Sequence, residues 1–220
     1  MSEFTPYGEV SMGTTNLLLR YNGGVLIASD TRTTRGAFIE DRNARKSNDI
    51  SPSVARFGPI FVVRSGNAAH TQVLTRIVAN YVSFHSMELP DSEKIDIDTV
   101  ANIYQTICYN NKDYVSGSFV LTNGKRIVSV HKSGAIFDHE LCFGSGSGST
   151  FVDGFVKNSM RANMPLPAVE KVAVEAMARA IDIDTASGGN CYLVDVKEDG
   201  TVSKKVVFNE QMRQLVRDMK

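Results

Sequence analysis

The order of apolar patterns along the chain constrains its fold most, because short strand-like runs come in blocks and helical periodicities come in adjacent pairs. The first block is a hairpin that runs from Thr14 through Leu17-Leu18-Leu19, turns at Asn22-Gly23-Gly24 and returns through Val25-Leu26-Ile27-Ala28 to Asp30. A second hairpin is expected over 54–57 and 60–64 around Gly58-Pro59. Two helices come next. Val73, Leu74, Ile77, Val78, Tyr81 and Val82 recur at helical spacing in one, and Val100, Ile103, Tyr104, Ile107 and Cys108 in the other. Strands return over 118–122, 127–131, 135–137 and 141–144, separated by Asn123-Gly124 and Ser133-Gly134 turns, which predicts an antiparallel meander. A second helix pair spans about 150–161 and 168–183, strands at 190–196 and 202–208 flank Glu198-Asp199-Gly200, and a short helix is expected after Asn209.

Alternating βαβ units would place single helices between parallel strands, so this order predicts instead an α+β fold, with antiparallel sheets and helices segregated onto their outer faces. The chain has 220 residues, 42% of them hydrophobic, and neither a Pro/Gly/Ser-rich linker nor an internal repeat divides it. One domain with a sizeable core is expected.

Lys plus Arg (24) balances Asp plus Glu (24), which excludes a field of one sign that would draw the chain to nucleic acid or an anionic membrane. No apolar run approaches a membrane span. Cys108, Cys142 and Cys191 are odd in number and far apart in apolar surroundings, so they are expected as reduced core thiols of an intracellular protein, without a disulfide. His70, His85, His131 and His139 show no H-x-x-x-H or H-E-x-x-H spacing and the cysteines no C-x-x-C, so neither a metal nor another cofactor is expected. Partners have to be read from local sites.

One such site begins at Gly13-Thr14-Thr15, where a polar leader carrying Glu3, Pro6 and Glu9 meets the first strand. The leader lacks the hydrophobic core of a secretory signal. Glycine, small and flexible, suits a scissile bond. A cut after Gly13 would leave Thr14 with a free amine, putting a nucleophilic hydroxyl and a base on one residue. Threonine is also common at strand starts, so the junction gains weight only from residues further along the chain. Asp30-Thr31-Arg32 and Lys46 bring a charge pair to one end of the hairpin, although alone they would read as a surface ion pair. The tract 144–149, Gly-Ser-Gly-Ser-Gly-Ser, fits neither a P-loop nor a G-x-S-x-G elbow, yet it lies at a strand end before a helix, where N–H groups and hydroxyls gather; a tight turn is the plain alternative. Asp184 precedes Thr185-Ala186-Ser187-Gly188-Gly189, a polar turn that opens into an apolar strand.

In this order and spacing, Gly13-Thr14-Thr15, Gly23-Gly24, Asp30-Thr31-Arg32, Lys46, Arg64-Ser65-Gly66, Gly146-Ser147-Gly148-Ser149 and the 184–189 turn resemble the catalytic β subunits of the 20S proteasome over nearly the whole chain. The resemblance implies the four-layer αββα sandwich of N-terminal-nucleophile hydrolases, with residues 1–13 a propeptide removed by self-cleavage and residues 14–220 one domain. It implies Thr14 as nucleophile, its amine (reference pKa about 7.7–8.0) as base, and Lys46 favouring the neutral amine and the alkoxide while Asp30 keeps Lys46 charged and aimed. By the same resemblance the Gly66 N–H is an oxyanion donor, and Ser147, Asp184 and Ser187 orient the amine and its proton network.

Arg64, with the segments 9–13 and 84–89, resembles the members with caspase-like specificity. Arg64 would then floor a pocket for Asp or Glu side chains, with Thr33 at its entrance, unless an internal acidic side chain pairs with it. The stretch from Lys46 to Arg64 looks longer than the family usually carries, and Ala44 stands where a pocket threonine is often found. The family further implies a threonine-type endopeptidase that needs no cofactor. It would work on unfolded polypeptide within stacked seven-membered rings of α and β subunits, in cytoplasm and nucleus. A non-catalytic structural β-type subunit is the alternative, against which the joint presence of Gly13, Thr14, Asp30 and Lys46 argues.

Overall fold

Leu17, Leu18 and Leu19 are consecutive and all buried. Side chains alternate along a strand, so three in a row require apolar cover on both faces. The computed structural model describes residues 13–35, 38–51, 58–90, 93 and 95–219, and it supplies that cover with two packed sheets between two helical layers. The leader 1–12 and the segment 54–57 lie outside the described residues.

The chain runs through β1 (Asn16–Tyr21), β2 (Gly24–Asp30), β3 (Thr33–Arg35), β4 (Phe38–Asp41), β5 (Ser47–Asp49), β6 (Phe61–Gly66), α1 (Ala68–Glu88) and α2 (Ile97–Asn110). It continues with β7 (Gly117–Thr122), β8 (Ile127–Val130), β9 (Ile136–His139), β10 (Cys142–Ser145), α3 (Ser149–Ser159), α4 (Leu166–Ile183), β11 (Cys191–Lys197), β12 (Val202–Val207) and α5 (Asn209–Met219). The first sheet has the order β10-β1-β2-β11-β12 and the second β5-β6-β7-β8-β9, antiparallel at every pairing.

Three cores separate the layers. Leu17, Leu19, Leu26, Ala28 and Leu193 face α3, α4 and α5, meeting Val152, Val156, Ala173, Met177 and Met212. Leu18, Val25, Ile27 and Val194 face the other way and pack on Phe61, Val63, Val120 and Ile127 of the second sheet. The remaining face of that sheet, with Val62, Phe119, Leu121 and Val128, covers Leu74, Val78, Val100 and Tyr104 of α1 and α2. The architecture is therefore the αββα sandwich that the resemblance implied, of the α+β class.

Four details differ from the sequence reading. The strand at 141–144 does not extend the meander: β10 crosses to the first sheet and pairs with β1, Leu18 opposite Phe143. There Phe143 joins the inter-sheet core and stacks on His139, with ring centroids 4.0 Å apart. Secondly, β6 finds its described partner in β5, Asp49 opposite Phe61, so its neighbour comes from before the 54–57 segment rather than from a tight hairpin. The β3–β4 hairpin was not expected, since its β4 residues are all exposed and carry no burial pattern. Finally, α1 buries only Leu74, Val78 and Val82 of its six periodic residues, together with Thr71 and Thr75. Val73, Ile77 and Tyr81 remain exposed.

Helix starts are set by capping. Asn67 accepts the Ala69 and His70 N–H groups ahead of α1, and Asp96 accepts that of Ile97 ahead of α2. The short helix expected after Asn209 is present as α5. Cys108 and Cys191 are buried and Cys142 is half-buried, all three as thiols.

Candidate active site

The site forms where β1 begins beside the start of β5, at one end of the inter-sheet space. The two sheets are tied there by Asn16, whose Nδ2 donates to the Arg64 carbonyl at 2.9 Å. Lys46 sits just before β5; its carbonyl accepts from Arg64 N at 2.9 Å, while its side chain reaches across to the first sheet. β2 ends at Asp30, whose backbone N–H donates to Thr15 O at 3.0 Å and so carries the strand pairing back to Thr15, the residue after Thr14.

Lys46 Nζ uses its three hydrogens on three acceptors: Asp30 Oδ1 at 2.6 Å, Gly13 O at 3.0 Å and Thr14 Oγ1 at 3.1 Å. Thr14 Oγ1 in turn donates to Gly13 O at 2.7 Å. All of this is buried. Burial pushes the Lys46 pKa below its ordinary value, and Arg32 adds to that; the charge of Asp30, its hydrogen bond and the charge of Asp184 act against it. Three acceptors around the nitrogen match an ammonium. Asp30 is itself held rigidly, because its Oδ1 also accepts Thr15 N at 2.9 Å and its Oδ2 accepts Gly188 N at 3.0 Å and Arg32 N at 3.3 Å.

A second group of hydrogen bonds approaches Thr14 from the opposite side. Thr14 N donates to Ser147 Oγ at 3.4 Å, and Ser147 Oγ donates to Asp184 Oδ2 at 2.8 Å. Ser187 Oγ donates to the same carboxylate oxygen at 2.6 Å, and Ala186 N to Oδ1 at 3.1 Å. Burial alone would raise the Asp184 pKa, but these donors outweigh it and hold the carboxyl below its usual range. Asp184 is fixed by its own place at the C-terminal end of α4, where its N–H donates to Ala180 O at 2.8 Å. Gly146 adopts φ +92°, and a Cβ there would overlap the Thr14 carbonyl.

Thr14, Asp30, Lys46, Ser147, Asp184 and Ser187 thus come together from five separate stretches of chain. Gly66 ends β6 two residues beyond Arg64, with φ +108° and room only for hydrogen, since a Cβ would lie 2.5 Å from Gly117 Cα. Thr33 begins the β3–β4 hairpin, opposite Asp41, and no hydrogen bond among the described residues links it to Arg64. Arg64 is 8% exposed and lines a cleft of about 570 Å³ between β5, β6 and α1, with Asn48, Asp49, Gln72 and Arg76. Its guanidinium donates to Arg45 O at 3.0 Å, its Nε is buried without a partner, and no carboxylate among the described residues pairs with it. Desolvation lowers its pKa. Sequence reasoning gave no role of their own to Thr15, Asn16 or the N–H groups of Arg32, Ala186 and Gly188. Backbone donors leave no mark in residue type, and the adjacency of Thr15 to Thr14 is the one available signal.

This sandwich, with a threonine cluster at the end of the space between its sheets, has the fold of the N-terminal-nucleophile hydrolases. A family profile described as "Proteasome subunit" matches residues 10–196. The chain is 32% identical over 202 residues to the probable proteasome subunit beta type-1 of Schizosaccharomyces pombe, covering 90% of this chain and 85% of that protein. It is 30% identical over 209 residues to the proteasome subunit beta type-6 of Dictyostelium discoideum (93% and 94% covered). With the proteasome subunit beta type-1 of Saccharomyces cerevisiae it shares 28% identity over 216 residues (94% of each). The chain belongs to the proteasome subunit family, among its beta-type members.

Proposed function

We propose that this chain is a threonine-type endopeptidase of the proteasome core particle that frees its own nucleophile by removing residues 1–13 and then cleaves polypeptide after acidic residues. The observation that carries the reading is the position of Lys46 Nζ, within hydrogen-bond reach of Thr14 Oγ1, Gly13 O and Asp30 at once. A cation between a nucleophilic oxygen and a carbonyl oxygen stabilises both the alkoxide and the developing oxyanion.

In the first reaction Thr14 Oγ1 attacks the Gly13 carbonyl carbon, the Gly13–Thr14 C–N bond breaks, and the nitrogen takes a proton to become an amine. Gly13 is then held as an ester on the threonine oxygen, and water opens that ester to release residues 1–13 as a carboxylic acid. In the second reaction the freed amine accepts the hydroxyl proton as the oxygen attacks a substrate carbonyl. Ser147, Asp184 and Ser187 orient the amine, and the Gly66 N–H, at the end of β6, serves the oxyanion. Arg64, buried and without a carboxylate partner among the described residues, is the group that a substrate Asp or Glu would satisfy, with Thr33 toward the pocket entrance.

The mature unit is residues 14–220, working beside other α and β subunits in stacked rings, in cytoplasm and nucleus. The reading of a silent ring member is disfavoured by the complete hydrogen-bonded set around Thr14. The deciding experiment is intact mass and N-terminal sequencing of the subunit from assembled particles in which other subunits are inactive. A chain starting at Thr14 in the wild type and at its own first residue in Thr14→Ala is expected; removal of the leader at that junction in Thr14→Ala refutes self-cleavage.

A further inference from the structure

We infer that Thr15, the residue after the proposed nucleophile, is a positioning residue for the reaction, a conclusion that rests on the threonine-nucleophile reading above. Thr15 is fully buried, so each of its polar atoms has to be satisfied inside the protein. Its N–H donates to Asp30 Oδ1 at 2.9 Å and its carbonyl accepts from Asp30 N at 3.0 Å. Its hydroxyl lies 2.8 Å from Ser187 Oγ.

The direction of that last bond is set by counting hydrogens. A hydroxyl has one to give, and Ser187 gives its own to Asp184 Oδ2. Thr15 therefore donates and Ser187 accepts. Asp184 Oδ2 also receives Ser147, whose oxygen accepts from Thr14 N. The bonds close a loop of two arms, from the nitrogen of residue 14 through Ser147 and from the hydroxyl of residue 15 through Ser187, that meet at Asp184 Oδ2, and along each arm one bond polarises the next. The loop has no slack: a Cβ at Gly148 would overlap Thr15 Oγ1 and stand 3.0 Å from both Asp184 Oδ2 and Ser187 Oγ.

Once the leader is gone, Thr14 is a chain end whose one covalent anchor is Thr15. Chain ends fray unless tied down, and a misplacement of about 1 Å can cost roughly 100-fold in rate. Thr15 is tied through its backbone to the Asp30–Lys46 side and through its hydroxyl to the Asp184 side, so it fixes Thr14 between the group that faces its oxygen and the groups that face its nitrogen.

The test is steady-state kinetics on an acidic peptide with assembled particles whose other subunits are inactive, comparing Thr15→Val, Thr15→Ser, Ser187→Ala and the Thr15→Val/Ser187→Ala double variant. Thr15→Val is expected to lower kcat about tenfold with KM within about twofold. Thr15→Ser should restore most of that loss, and the double variant should be no slower than Ser187→Ala alone, because both changes break one bond. A wild-type kcat in Thr15→Val, an equal loss in Thr15→Ser, or full additivity in the double variant overturns the inference. Should Thr15→Val not assemble, Thr15→Ala against Thr15→Ser gives the same decision. Thr14→Ala run alongside separates the two ideas: an inactive Thr14→Ala with an unimpaired Thr15→Val sinks the role of Thr15 alone, whereas an active Thr14→Ala sinks the nucleophile and this inference with it.

Discussion

Lys46 Nζ lies 3.1 Å from Thr14 Oγ1 although the two residues stand at the ends of strands in different sheets. The short contact of the same nitrogen with Asp30 sets its position, so hydroxyl, cation and carboxylate form one rigid row. Stability and chemistry can be separated in this row. The pair is taken out of water, and breaking it on one side leaves a buried charge uncompensated.

Lys46→Met should accordingly leave the leader attached, lower peptide hydrolysis by roughly 100- to 1,000-fold and destabilise the subunit by about 3–5 kcal/mol. Adding Asp30→Asn removes that charge but should recover only part of the stability and none of the activity, because the amide NH2 would face a backbone N–H that a carboxylate oxygen accepts. Lys46→Arg should not rescue, because a planar fork cannot place one hydrogen on each of the three acceptors that Lys46 serves. Intact mass, hydrolysis rate and thermal unfolding of assembled particles read the three effects; normal leader removal in Lys46→Met would count against its role.

Arg64 has no described carboxylate partner to lose. Arg64→Met should therefore leave thermal stability unchanged or slightly higher, while the ratio of kcat/KM for acidic over apolar peptides falls at least about tenfold, the worth of one charge-assisted hydrogen bond. An unchanged ratio would overturn the assignment of Arg64 to a pocket for acidic side chains.

The sequence carried the layers better than the edges. Leu17-Leu18-Leu19 and Val62-Val63 announce strands covered on both faces, and the paired helical periodicities announce the outer layers. The crossing of β10 was not legible, since a four-residue strand after a turn pairs equally well with either sheet until Phe143 is seen in the inter-sheet core. The β3–β4 hairpin escaped because an exposed strand such as β4, with Phe38 at 80%, lacks the alternation that burial imposes. At the site, no spacing rule joins Thr14, Asp30, Lys46 and Asp184; long-range pairing does, and from sequence only a family resemblance could supply it. The Thr15 loop leaves no mark in the sequence, because it depends on which hydroxyl already spends its hydrogen on Asp184.

Gly146 offers a purely steric test. Its φ of +92° is costly for an L side chain, by about 1–2 kcal/mol, and the added methyl would run into the Thr14 carbonyl. Gly146→Ala should lose activity through displacement of Thr14, with the largest effect on kcat, while an alanine at Gly154, where a Cβ meets nothing within 4 Å, should be kinetically silent. Equal activity of the two variants would mean that Thr14 is not held from that side.

Asp184 carries a pH signature whose sign is fixed by its environment. Burial raises its pKa, the donors from Ser187, Ser147 and Ala186 lower it by more, and the net value lies below the ordinary one. The folded protein therefore binds this proton less readily than the unfolded chain, and the stabilisation is fully present above an unfolded pKa of about 3.9. It disappears as pH falls through the lower folded value. Asp184→Asn cannot titrate, so its melting temperature should lie below that of the wild type at neutral pH, and the gap should close on acidification below about pH 4. Thermal unfolding of the two particles from neutral pH to about pH 3 reads this directly. A gap that stays constant over that range would mean that the hydrogen bonds to Asp184 do not favour its charged form, and that Ser147 and Ser187 serve packing instead.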